Sequence, residues 1–291
     1  MSDIRHMLRL ALLLPFCFLA LQARAGSLKA YLPDAEKANG EAVIICPGGS
    51  YHWLSKKVEG SEVAAKLRDM GYAAYVLHYR RSGTRYFLFR GLAFPQNHWP
   101  DAHEDLLDAI RTVRSEGYSK VGVMGFSAGG HLALSSGEFF GGGRPFFGHG
   151  SREGDRPDFI VAVYPVVTMC REDIVHQRSR RALMGRRLNE AALRDSLSME
   201  KNVPSDMPPV FLTNCIDDPI VHWRNSEVMD SALTARGIPH MYMQYDKGGH
   251  GYGISSAVNP EPSSGWLEIW RDYHVKNDYL CPDTIGKDDV Q

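Results

Sequence analysis

The chain lacks a CxxC pair and a histidine-rich stretch, so it offers no metal ligand set, and no metal or organic cofactor is expected. It also lacks an excess of either charge. A formal net charge of -1 argues against a nucleic-acid footprint and against a polybasic membrane anchor. Internal repeats and long low-complexity linkers are missing as well, which makes one domain the economical expectation. What remains is a chain of 291 residues, 44% hydrophobic and 23% charged, long enough to bury a substantial core.

The first residues read as an address rather than as fold. Arg5 and Arg9 precede the apolar run 10–21, and Ala23-Arg24-Ala25 offers a small-x-small cleavage site. Basic, apolar and cleavage regions in that order make residues 1–25 an expected secretory signal peptide, leaving 26–291 as the domain. The apolar run is short of the roughly 20 residues that a membrane span needs. Cys17 follows Phe16, where a lipidation site would want a small residue. The expectation is export, periplasmic or secreted, with no membrane anchor after cleavage. Cys46, Cys170, Cys215 and Cys281 then remain, and spacing alone does not choose among their pairings. Cys46 and Cys215 fall in strand-like runs, where a buried free thiol is the default.

Gly125-Phe126-Ser127-Ala128-Gly129 is the most informative stretch. An apolar run of strand length, 120–124, precedes it, and good helix formers follow. A serine between small residues at such a corner is a nucleophile elbow, with its hydroxyl projecting from the end of a sheet. An acyl-transfer serine needs a base, and the base needs a carboxylate to orient it. The strand-like run 210–215 leads into Asp217-Asp218-Pro219, and the run 240–245 leads into Gly248-Gly249-His250-Gly251. Ser127, then Asp217 or Asp218, then His250 is the chain order expected on this architecture, with each member just past a strand.

The rest of the chain alternates between strand and helix periodicities. Continuous apolar runs at 42–46, 73–79 and 159–165 suit strands buried on both faces. Helices are expected over 63–70, 101–114, 224–236 and 266–274, with a short basic one around 178–187. Such alternation predicts an α/β fold, a mostly parallel central sheet with helices on both faces.

The oxyanion donors are expected from the backbone of Ala128 and from Gly48, Gly49 and Ser50, which directly follow the first apolar run. Tyr51, His52, His222 and Trp223 border these loops and are candidates to line a substrate pocket. His131 lies one helical turn past Ser127 and reads as packing, while the role of His176 stays open. The aromatics Phe87, Phe89, Phe94, His98, Trp99, Phe146 and Phe147 fall in irregular stretches and suit either packing or a pocket wall.

Together the segments 46–51, 79–80, 100–102, 125–133, 156–159, 217–221 and 249–251 resemble the exported α/β-hydrolase esterases of plant-polysaccharide degradation. These are the acetylxylan and feruloyl esterase-like enzymes, related to the dienelactone hydrolase clan. The resemblance spans residues 41 to about 275. It implies the α/β-hydrolase fold, a Ser127–His250–Asp218 triad and a small acyl ester substrate on xylan or xylo-oligosaccharides. The family's Asp-x-x-Val pattern falls on Asp218 and Val221. Where relatives carry proline after that valine, this chain has His222, and where they carry a third oxyanion glycine it has Ser50. Alternatives within enzymes are a feruloyl esterase or a serine exopeptidase of prolyl-oligopeptidase type. Outside enzymes, the alternative is an inactive hydrolase serving as a carbohydrate-binding module.

Overall fold

The computed structural model describes residues 26–83, 97–138, 154–254 and 265–276. The expected signal segment, Cys17, Cys281 and the aromatics Phe87, Phe89, Phe94, Phe146 and Phe147 lie outside the described residues.

Seven strands form one sheet: β1 (Ser27–Tyr31), β2 (Glu41–Cys46), β3 (Ala73–His78), β4 (Lys120–Phe126), β5 (Ile160–Val163), β6 (Val210–Cys215) and β7 (His240–Tyr245). Their spatial order is β1-β3-β2-β4-β5-β6-β7. Every neighbouring pair is parallel except β1 with β3. The strand reading from sequence starts at β2 and misses β1. Its pattern explains why: Ser27, Lys29 and Ala30 are exposed, so this edge strand carries no continuous apolar run.

Helices α1 (Glu62–Asp69), α2 (Asp101–Arg114), α3 (Ala128–Glu138), α4 (Gln177–Met184), α5 (Ala191–Ser196), α6 (Arg224–Arg236) and α7 (Trp266–Lys276) cover the sheet. Side-chain alternation along the strands sends neighbouring residues to opposite faces. Ala42 and Ile44 of β2 pack with Leu106 and Ile110 of α2, Leu132 of α3 and Leu233 of α6. Val43 and Ile45 pack instead with Val63 and Leu67 of α1 and with Trp266 and Trp270 of α7. Two apolar cores on one sheet result, and between them they clamp β4 and β5 from both sides.

From β2 the chain crosses to β3 on one side and later to β4 on the other. The C-terminal ends of β2 and β4 therefore flank a topological switch point, where open α/β sheets bind ligands. The Gly48–Tyr51 loop leaves β2 there, and Ser127 leaves β4. Cys46 lies opposite Gly125 in the ladder, which brings both loops out at the same level.

Candidate active site

Ser127 sits between β4 and α3 with φ +53°, in the left-handed region that non-glycine residues avoid. The corner holds because Gly125 and Gly129, two residues to either side, have no side chains. A Cβ on Gly125 would stand 2.0 Å from the Gly129 carbonyl oxygen, and one on Gly129 would stand 2.0 Å from the Cys46 carbonyl oxygen. Backbone bonds fasten the turn: the Ser127 N–H donates to Val163 O at 3.0 Å, and Ser127 O accepts the Gly130 N–H at 3.0 Å.

Asp218 follows β6, and its side chain is 1% exposed. Its Oδ1 accepts the N–H groups of Ile220 and Val221 at 2.8 and 2.9 Å, while its Oδ2 accepts from His250 Nδ1 at 2.6 Å. Nδ1–H being donated to the carboxylate, His250 Nε2 is left to accept from the Ser127 hydroxyl, at 3.0 Å. The neighbouring aspartate has another partner. Asp217 accepts the N–H groups of Gly249 at 2.7 Å and Gly248 at 3.3 Å, and so braces the loop that carries His250.

The oxyanion loop departs from the sequence reading at one residue. The Gly48 N–H donates to Glu59 Oε2 at 2.8 Å, so this amide is spent inside the protein. Gly49, Ser50 and Ala128 remain the candidate donors. The loop still lies against the nucleophile, since a Cβ on Gly48 would approach Ser127 Cβ to 2.9 Å. The Tyr79 hydroxyl donates to Pro47 O at 2.7 Å and fixes the other side of the loop. Ser50 and Tyr51 both take positive φ, 54° and 60°, which turns the chain sharply away from the rim.

Tyr51 is thereby corrected from pocket wall to core. It is 2% exposed, and its hydroxyl lies 2.9 Å from His131 Nδ1. His131 Nε2–H donates to Leu197 O at 2.8 Å, so Nδ1 accepts from the tyrosine. Burial pushes the His131 imidazole down to about 4, as suits a packing residue. His52 is also buried. Its Nδ1 stands 3.0 Å from Ser82 Oγ, and its ring stacks on Trp53. Exposed His222 accepts the Arg224 N–H at 3.2 Å, and the Trp223 carbonyl accepts from the Asn214 side chain at 2.9 Å. The bonds of that pair hold the start of α6 rather than Ser127 or His250.

Residues 28–233 match the BD-FAE family, more than half of the chain. The chain belongs to that family. Ser127 and Asp218 fall inside the matched segment, and His250 falls beyond it. The chain is 29% identical over 246 residues to endo-1,4-beta-xylanase B of Butyrivibrio fibrisolvens. It is 27% identical over 235 residues to acetylxylan esterase of Xylanibacter ruminicola. These alignments take in 82% and 78% of this chain but only 36% and 43% of the two relatives. Among solved structures, the acetyl ester-xyloside bifunctional hydrolase of Caldicellulosiruptor lactoaceticus is 30% identical, with a TM-score of 0.73 over 88% of this chain and 89% of that one. A truncated carbohydrate esterase from gut microbiota, 22% identical with a TM-score of 0.71 over 87% and 91%, shares the fold.

Two residues of this BD-FAE chain escaped the sequence reading, and a third, His176, was named there without a role. Glu59 is 4% exposed and lies in a π-helical turn, Lys57–Ser61. Such turns gather at functional sites. Its Oε1 accepts from the Tyr164 hydroxyl at 2.9 Å, and that hydroxyl accepts the Gly253 N–H at 3.1 Å. The Tyr164 ring packs on His250 with centroids 4.7 Å apart. One buried chain of bonds thus joins the Gly48 loop to the His250 loop. Burial raises the Glu59 carboxyl above its ordinary range, against the opposing pull of the Tyr164 hydroxyl, the His250 charge and the Gly48 amide. His176 is the third. Burial, then the charges of His250 and Arg178, push it down to about 4. Tyr164 had a legible signal, because like Ser127 it directly follows a parallel strand. Nothing in 52–61 marks Glu59.

Proposed function

We propose that this protein is a serine carboxylesterase that removes small acyl groups, acetyl first, from xylan or xylo-oligosaccharides. The observation that carries the reading is the hydrogen-bonded chain from Ser127 Oγ through His250 to Asp218, at 3.0 and 2.6 Å. In this reading Ser127 Oγ attacks the ester carbonyl while His250 Nε2 takes its proton. Asp218 holds the imidazole in the tautomer that leaves Nε2 free and stabilises the imidazolium. Charge on the carbonyl oxygen is met by the Ala128 N–H and by the Gly49 and Ser50 amides, helped by the N-terminus of α3. His250 then protonates the leaving sugar hydroxyl, and an acyl group stays on Ser127. Water activated by His250 releases the acid and restores the serine.

The substrate class rests on relatives named for xylan and acetyl ester hydrolysis. The complete hydrogen-bonded chain weighs against an inactive, purely carbohydrate-binding role. Residues 1–25 fit delivery to the periplasm or the medium, where such polymers are met. A panel of acetylated xylan, methyl ferulate and short nitrophenyl esters tests the reading. Release of acetate from xylan, lost in Ser127→Ala, is the expected result. Hydrolysis of methyl ferulate with no acetate release would transfer the assignment to a feruloyl esterase.

A further inference from the structure

Beside the oxyanion loop a groove of about 600 Å³ opens past His52, with Trp53, Lys56, His78, Arg81 and Asn97 in its walls. Its volume lies within the roughly 300–1,000 Å³ typical of small-ligand sites. Among the described residues no Asp or Glu lines it. Arg80, which also borders it, is turned away into ion pairs with Asp101, Glu104 and Asp105 and leaves no free positive charge for a ligand. Lys56 and Arg81 make no ion pair among the described residues. The cationic character is felt locally, because after burial it is Lys56, Arg81 and Lys29 that hold the His78 imidazole below its ordinary value. Trp53, 39% exposed and flanked by His52 and the Arg178 guanidinium, adds an apolar wall.

We propose that this groove is a subsite for a carboxylate-bearing sugar, a uronic acid unit attached near the scissile ester of the glycan. The inference rests on the carbohydrate-esterase reading above and adds a preference to it. Lys56 and Arg81 are placed to meet the carboxylate, each with N–H donors for a charge-assisted bond. Trp53 meets the apolar face of the ring. The groove starts at His52, the residue after Tyr51, and Tyr79 beneath it holds Pro47 of the same loop. β3, which ends at the groove, lies two ladder steps, roughly 10 Å, from β4 and Ser127, a span that a short stretch of glycan bridges.

The test compares two acetylated xylo-oligosaccharides that differ only in a glucuronic acid branch beside the acetylated xylose. The readout is the ratio of kcat/KM, acidic over neutral. In the unaltered protein at low salt the ratio should be about tenfold or more, carried by KM, since a charge-assisted bond contributes about that factor. Added sodium chloride should lower the ratio, because the groove is open to screening ions. Lys56→Ala with Arg81→Ala should bring the ratio near one, while Lys56→Arg should keep it. A ratio of one or less in the unaltered protein would overturn the subsite, as would a ratio that neither salt nor the double substitution changes. The salt series needs no variant and stands if the double substitution fails to fold. Hydrolysis of nitrophenyl acetate with neither oligosaccharide cleaved would overturn the carbohydrate reading itself, and the subsite with it.

Discussion

Glu59 Oε2 accepts the Gly48 N–H at 2.8 Å, so a buried carboxylate holds the first turn of the loop beside Ser127. Its other oxygen takes the Tyr164 hydroxyl, whose ring packs on His250. Glutamine in place of Glu59 keeps the size but offers one acceptor where two donors point. Glu59→Gln should therefore lower kcat by roughly tenfold to a hundredfold, as oxyanion donors lose their aim, with KM little changed. Tyr164→Phe should act in the same direction. Steady-state kinetics on nitrophenyl acetate, with circular dichroism to check the fold, would measure both. An unchanged kcat in folded Glu59→Gln would leave the carboxylate with a purely structural part.

Ser127→Ala should abolish ester hydrolysis, a loss on the order of 10⁴ or more in turnover, while the protein stays folded. The serine makes its structural bonds through its backbone, which alanine keeps. Retained activity in the folded variant would sink the serine mechanism.

The adjacent aspartates should separate cleanly. Asp218→Asn presents an amide to His250 Nδ1 and favours the wrong tautomer, with a loss of roughly 10⁴-fold by analogy with the well-studied protease triad. Asp217→Asn removes only a brace on the Gly248–Gly249 backbone, and the loss should be far smaller. Comparing kcat for the two variants decides it, and a larger loss at Asp217 would reverse the assignment.

Acyl length should matter. With the Gly48 backbone close against Ser127, kcat/KM for nitrophenyl acetate should exceed that for the octanoate by about tenfold or more. A preference for octanoate would point to a lipase-like site.

Acid should destabilise the fold through its buried histidines. His131 binds its proton near 6.5 when unfolded but only near 4 in the folded chain. Between those values the unfolded chain holds more protons, so stability is full above pH 6.5 and is lost as pH falls toward 4. The shift corresponds to roughly 3 kcal/mol. Urea midpoints across pH 7 to 4 should fall, and His131→Gln should flatten the fall. An equal slope in the variant would place the acid sensitivity elsewhere.

Much of this was legible because sheet and site obey the same periodicities. Buried parallel strands announce themselves as apolar runs, and Ser127, Asp218 and His250 each follow one. The choice between Asp217 and Asp218 was open from the residues because both lie in one loop, and the side-chain directions that separate them arise from the turn over Cys215–Asp218. Tyr51 misled for a similar reason. Positive φ at Ser50 and Tyr51 reverses the chain, and a residue adjacent to the rim in sequence ends in the core. Glu59 left no trace because its partners, Gly48 and Tyr164, are brought to it by the fold.

Strand order has one more consequence. The Ser127, Asp218 and His250 loops leave β4, β6 and β7 of one hydrogen-bonded ladder, β6 beside β7 and β5 between β4 and β6, with about 4.8 Å to each step. The proton therefore travels across the strands, and the loops at their C-terminal ends close the remaining distance, with Asp217 bracing the loop of His250. Segments that turn at the opposite edge of the sheet can lengthen, shorten or acquire new side chains without touching those loops. In such a scaffold what is recognised can diverge while the reacting atoms stay where they are.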